Sequence, residues 1–233
     1  MNTAVDTPVD TMGGGGTVLI MSGPDSPSTL DSPSIPDPTG QGSGDLDRFE
    51  RIASTRRSSL RVDPDRAVDD GLLDRLIAIA ATAPNHKRTF PWRFRIITGD
   101  GRAGLGAALA QDLVDAGQPE SKIDKARGKY LRAPVMIAVA SMAGVDATMT
   151  AENRDAVSAA IQTLLLAATA AGLASYWSTG GAMTSTRVKE FCRFDDTDTM
   201  IGLLYLGWPI GEPPPIERPA PDAVRINRSP TNP

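Results

Sequence analysis

Ala83-Pro84-Asn85-His86-Lys87-Arg88-Thr89-Phe90-Pro91-Trp92-Arg93-Phe94 joins a helix-patterned segment to a strand-patterned one, and it holds the only histidine of the 233-residue chain. Pro84 stops the preceding helix, because proline lacks an N–H and disfavours helical geometry at the residue before it. A polar, cationic loop follows, and Pro91 opens a strand. Loops carried between rigid elements are where binding chemistry tends to sit.

Working outward, Val68, Leu72, Leu76 and Ala80 recur every fourth residue with Leu73 and Ile77 beside them, which predicts an amphipathic helix over 68–82. Trp92, Phe94 and Ile96 alternate with Arg93 and Arg95, the pattern of a half-exposed strand. Helices are expected at 102–117 and 120–131, and Ala133–Met142 reads as a buried strand. The longest helix is expected over 151–171, with Val157, Ile161, Leu164, Ala168 and Ala171 in register and Gly172 as its stop. Its many alanines suit a central or dimer-interface helix. Ala174–Ser178 and Met200–Trp208 read as strands, and 186–193 as a short helix. Near the start, Leu46, Phe49 and Ile52 line one side of a short helix over 45–53. The order α, α, β, α, α, β, α, β, α, β lacks regular βαβ alternation, so the fold class is α+β, a sheet covered by helices.

Composition sets the limits. Six aspartates (Asp6, Asp10, Asp25, Asp31, Asp37, Asp45) and no Lys or Arg fall in residues 1–45. Removing that −6 from the formal −4 of the chain leaves about +2 for residues 46–233. The first 45 residues are rich in Gly, Pro, Ser and Thr and are expected to be a disordered, low-complexity acidic tail. A single folded domain is expected over 46–226, with 227–233 as a flexible C-terminus. Without a basic patch interleaved with aromatics, nucleic acid is not an expected partner. No stretch has the apolar length to span a membrane. One cysteine, Cys192, excludes an internal disulfide, fits a reducing compartment, and with one histidine leaves no zinc cluster. A soluble cytoplasmic protein is expected.

Three motifs carry candidate chemistry. Arg56-Arg57-Ser58 with Arg61 places guanidinium groups and a hydroxyl at a helix end, a set suited to a phosphate. Cations at a helix C-terminus also favour the helix dipole on their own account. His86 beside Lys87 and Arg88 reads as a neutral hydrogen-bond donor, or as a loop histidine bonded to a backbone carbonyl. Trp177-Ser178-Thr179-Gly180-Gly181 ends a strand in small and hydroxylated residues, where a planar ring can approach the chain or the backbone simply turns. A fourth match, Gly99-Asp100-Gly101-Arg102-Ala103-Gly104, has the G-x-G-x-x-G spacing of a dinucleotide-binding domain. No second strand ending in an acid follows soon enough, so a plain strand-to-helix turn is the stronger reading.

Taken in order, these stretches resemble the nitroreductase family of flavoproteins, in its compact, minimal-length subgroup. The resemblance covers about residues 46–222. It rests on Arg-Arg-Ser-x-x-Arg at 56–61, Ala-Pro-Asn-His with Pro-Trp-x-Phe at 83–94, and Lys125-Ala-Arg followed by Arg132-Ala-Pro. The Ala-rich helix ending at Gly172, the strand end at Trp177–Gly180, and Gly202-Leu-Leu-Tyr-Leu-Gly-Trp-Pro209 complete it. It implies a three-layer α-β-α sandwich with a mixed, mainly antiparallel sheet, in an intertwined homodimer that holds FMN at the subunit interface and uses NADPH or NADH as co-substrate. It further implies that Arg56, Arg57 and Ser58 bind the FMN phosphate and ribityl chain, with Arg218 adding to the phosphate site. His86 would reach the flavin from the partner subunit, and Trp177, Ser178 and Thr179 would line the ring. Thr82 and Ser178 stand where the subgroup usually carries arginine. That departure leaves open a flavin-binding protein without turnover beside the expected enzyme, which passes hydride to a nitroaromatic, quinone or similar small acceptor.

Overall fold

The computed structural model describes residues 42–212 and 215–223. Its elements follow the expected order: α1 (Gly42–Thr55), α2 (Asp70–Ala80), β1 (Trp92–Ile97), α3 (Gly101–Asp115), α4 (Glu120–Gly128), β2 (Val135–Ser141), α5 (Ala147–Ala170), β3 (Ala174–Ser178), α6 (Thr186–Phe191) and β4 (Thr199–Gly207). The expectations for residues 1–41 and 227–233 lie outside the described residues. Helix α1 starts three residues before the expected 45, over Gly-Ser-Gly, whose poor helix propensity hid it.

The sheet order is β1-β2-β4-β3, antiparallel at every strand pair. Among the described residues its mixed character comes down to one parallel bridge, from Ser58, which lies outside the four strands, to Ser175 of β3. An antiparallel β1–β2 pair is incompatible with the dinucleotide fold weighed at Gly99–Gly104, which requires parallel neighbours. Gly104 serves packing, because a Cβ there would meet the Phe191 ring at 2.7 Å where α3 crosses α6, and Gly99, at φ +52°, serves the turn.

Alternation along the strands sends side chains to two faces. Val135, Ile137, Val139, Leu204 and Leu206 face α2 and α5, meeting Leu73, Leu76, Val157, Ile161 and Leu164. Met136, Ala138, Leu203 and Tyr205 face α3, α4 and α6, meeting Leu105, Leu109, Ile123 and Val188. Helices thus cover both sides of the sheet in three layers. All seven residues of β2 are buried, as its unbroken apolar run requires. Each fully buried Leu or Ile contributes about 1.5–3 kcal/mol through area removed from water.

Helix starts are capped by side chains: Asp69 accepts from the Leu72 N–H, Asp146 from Met149 and Ser185 from Val188. Gly172, at φ +80°, ends α5 in the left-handed region that residues with a Cβ avoid. Close approach explains two further glycines. A Cβ on Gly202 would sit 2.1 Å from the Trp177 indole nitrogen, and one on Gly106 would sit 2.3 Å from the Arg127 carbonyl. Cys192 is buried where α6 ends, and burial pushes its thiol up to about 12. Among the described residues no helix is long and apolar enough to cross a membrane.

Candidate functional site

After α1 the chain runs extended beside β3, where the Ser59 N–H bonds the Ser175 carbonyl at 2.9 Å. This places Arg56, Arg57 and Ser58 at the start of β3 and Trp177, Ser178 and Thr179 at its end. Arg218 joins the first group: its two terminal nitrogens donate to the carbonyls of Ser54 and Arg56, each at 2.9 Å. Burial, then the nearby Arg218 and Arg57 charges, hold the Arg56 guanidinium below its ordinary pKa. Among the described residues none of these three arginines makes an ion pair.

The extended run also separates neighbours. Arg57, Ser59 and Arg61 line a cleft of about 230 Å³ whose other walls include Leu173, Ala174 and Ile210, whereas Arg56 and Ser58 do not line it. Arg57 also donates to the Ser54 and Arg56 carbonyls, so part of its fork closes the end of α1. Its Nε is buried without a partner.

Trp177 lies over Gly202 and donates from Nε1 to the Ile201 carbonyl at 3.3 Å. Strand β3 is an edge strand of mixed burial. The Ser178 hydroxyl donates to the Thr179 carbonyl at 3.3 Å, and the Thr82 hydroxyl donates to the Ile79 carbonyl at the end of α2, at 2.8 Å. Gly180 follows at φ +111°.

His86 stands elsewhere. Its loop precedes β1, the opposite edge of the sheet from β3. Three strand spacings separate the two edges, about 14 Å. Within one chain, the structure therefore groups the arginines, Ser58 and the Trp177–Thr179 strand end along one edge and leaves His86 at the other. The ring sits on a single 3₁₀ turn, His86–Arg88, with Nδ1 2.8 Å from Glu152 Oε2 on α5. Its polar neighbour is this carboxylate; no hydrogen bond joins the ring to Lys87 or Arg88 among the described residues.

The G-x-G-x-x-G segment borders a second cleft, of about 500 Å³, lined by Asp65, Asp69, Asp70 and Arg102. Three carboxylates at its rim repel a pyrophosphate. Arg102 is occupied by the carbonyls of Gly99, Pro64 and Ala133.

Residues 53–208 match the profile of the Nitroreductase family. The chain belongs to the nitroreductase family. Within this family it is similar to YdjA of Escherichia coli (strain K12), a provisionally named NAD(P)H nitroreductase, with 31% identity over 165 residues, 70% of this chain and 89% of YdjA. It is also similar to the solved nitroreductase-like family protein from Bacillus cereus, at 27% identity and TM-score 0.63, covering 74% of this chain and 91% of that one. A mutant of the FMN- and NADPH-dependent nitroreductase NfnB from sphigopyxis sp. strain HMH is 22% identical with TM-score 0.60, covering 75% of this chain and 94% of NfnB. At that identity the likeness to NfnB shows the fold alone.

Against the nitroreductase pattern, sequence reading missed the α5 residues that hold the histidine loop. Asn153 is 1% exposed; it accepts from the Thr89 hydroxyl at 2.6 Å and donates to the Met142 carbonyl at 3.1 Å. The one available signal was a polar Glu152-Asn153 pair early in a helix otherwise rich in alanine. Other family motifs turn out to be structural. Arg127 pairs with Glu120 and Asp124, and Arg132 lies over the Tyr205 ring. Pro134 lies where a Cβ on Gly207 would meet it at 2.7 Å.

Proposed function

We propose that this nitroreductase-family chain is an FMN-dependent oxidoreductase. It draws hydride from NADPH or NADH and passes electrons to a nitroaromatic, quinone or similar small acceptor, as a homodimer. The observation that carries this reading is the unneutralised arginine cluster at the β3 edge. Three like charges gathered with no ion pair among the described residues raise the local potential and favour an arriving anion. A phosphate monoester offers the charge and planar oxygen pairs that guanidinium forks take bidentately.

The residues present therefore fit FMN. Arg56, Arg57 and Arg218 would hold its phosphate and the Ser58 hydroxyl would add a donor. Trp177, Ser178 and Thr179, further along the same strand, would lie against the ring, where Gly180 and Gly181 keep the backbone bare. Bound FMN supplies the hydride-accepting ring on which redox chemistry of this class depends. The chain's own work is to anchor the phosphate, fix the ring plane along β3 and present hydrogen-bonding groups to its edge.

The distance between the edges supports a second copy, which would bring His86 to the flavin held by its partner's arginines. Leu46 and Phe49 on α1, 65% and 54% exposed within one chain, supply apolar surface for such a partner to cover. A second reading, flavin binding without turnover, draws on uncharged Thr82 and Ser178 and places few cations at the ring.

The test starts with an absorbance spectrum of the purified protein and an FMN titration, followed by NAD(P)H oxidation with an added nitroarene or quinone. A yellow protein that turns over is expected; a yellow protein without turnover selects the second reading. Arg56→Ala is expected to weaken FMN binding about 30-fold, the equivalent of about 2 kcal/mol for a charged hydrogen bond, with an unchanged unfolding midpoint. A colourless wild-type protein that ignores added FMN refutes both readings.

A further inference from the structure

The loop around the sole histidine is bent against its backbone preference. Lys87, Arg88 and Phe90 have φ of 57°, 52° and 47°. Side chains with a Cβ pay of order 1–3 kcal/mol for such conformations, which persist only where surroundings over-determine them. Two adjacent residues of α5 supply the constraint. Asn153 pins Thr89, which also bonds the Asn85 side chain at 3.0 Å, while Asn85 Oδ1 accepts from the Phe90 N–H at 2.8 Å. Glu152 does something different. Among the described residues the one hydrogen bond of its side chain is to the imidazole, Nδ1 to Oε2 at 2.8 Å.

We propose that Glu152 is a positioning residue for His86. A carboxylate only accepts, so in the neutral ring Nδ1 carries the proton and Nε2 keeps a bare lone pair. Nε2 lies across the ring from Nδ1 and so points away from α5, on a side chain 59% exposed. This reverses the role expected from Lys87 and Arg88: the neutral ring offers an acceptor to its ligand. The ligand must then bring a donor. Under the flavin reading, on which the identity of the ligand rests, that donor is the ring N3–H or a ribityl hydroxyl. A hydrogen bond between groups this exposed adds little to stability, so the contribution of Glu152 is orientation.

Because His86 is the only histidine, its two ring nitrogens give unambiguous signals in a long-range ¹H–¹⁵N spectrum of the full chain. With the ring neutral in alkaline buffer and no flavin added, Nδ1 is expected to be the protonated nitrogen. Glu152→Ala should return the ring to the Nε2–H form that imidazole prefers in water, whereas Glu152→Gln, whose amide oxygen still accepts, should keep Nδ1–H. Added FMN should shift the Nε2 signal, and Glu152→Ala should weaken FMN binding about fivefold, the size of one hydrogen bond. An Nε2–H tautomer in the wild type, or no change in Glu152→Ala, overturns the assignment. The expected tautomers with no FMN binding at all would uphold Glu152 as the positioning residue and defeat the flavin reading instead.

Discussion

At the β3 edge, Arg56, Arg57 and Arg218 lie near one another and make no ion pair among the described residues, and Arg218 spends its fork on backbone carbonyls. At the β1 edge, Asn85, His86 and Thr89 close on one another and on Glu152 and Asn153 of α5. The first edge keeps charge in reserve and the second uses its polar groups to hold a strained loop. A cationic edge without ion pairs among the described residues is organised for an anion that arrives, whereas a satisfied loop is organised to present one group in a fixed orientation. The proposed site needs both properties, which sit about three strand spacings apart in one chain.

The comparison breaks most severely at Gly202. Gly202→Ala puts a methyl where the Trp177 indole lies, so the β3 end must shift, at a cost of about 3 kcal/mol. Chemical denaturation followed by tryptophan fluorescence should show a lower midpoint and altered native emission, with the β1 loop untouched. Asn153→Ala attacks the other edge. It leaves the Thr89 hydroxyl and the Met142 carbonyl short of a partner, costing about 2 kcal/mol. Faster amide exchange should be confined to residues 85–90, and protection along β3 should not change. The smallest effect sharpens the two-chain arrangement. Dimers that pair an Arg56→Ala chain with a His86→Ala chain are expected to rebuild one complete site. They should bind close to one FMN per dimer at a concentration that leaves either parent dimer mostly empty; equal emptiness would count against a site shared between chains.

Local pattern carried the element order. The apolar run of β2, the 3.6-residue period of α5 and the Gly172 stop each depend on neighbours in sequence and each is present, although α5 starts at Ala147, four residues before the expected 151, behind its Asp146 cap. The pairing order β1-β2-β4-β3 was not legible, because antiparallel registry is set by contacts far apart in the chain. For the same reason Gly202 could be read as a motif glycine but not as the seat of an indole 25 residues earlier. The separation of Arg57 from Arg56 became visible only once the 56–61 run proved extended and lay along a cleft. Glu152 stayed hidden because its partner is 66 residues away. The letters near His86 showed two cations and gave no hint of the carboxylate that meets the ring.

The lone thiol offers a practical opening. Sealed in the core, and ionising only near pH 12, Cys192 will ignore maleimides and iodoacetamide while the protein stays folded. A cysteine engineered onto either rim can then take a spin label or fluorophore without first removing the native sulfur, so the proposed pairing of chains can be tested by distances between their rims.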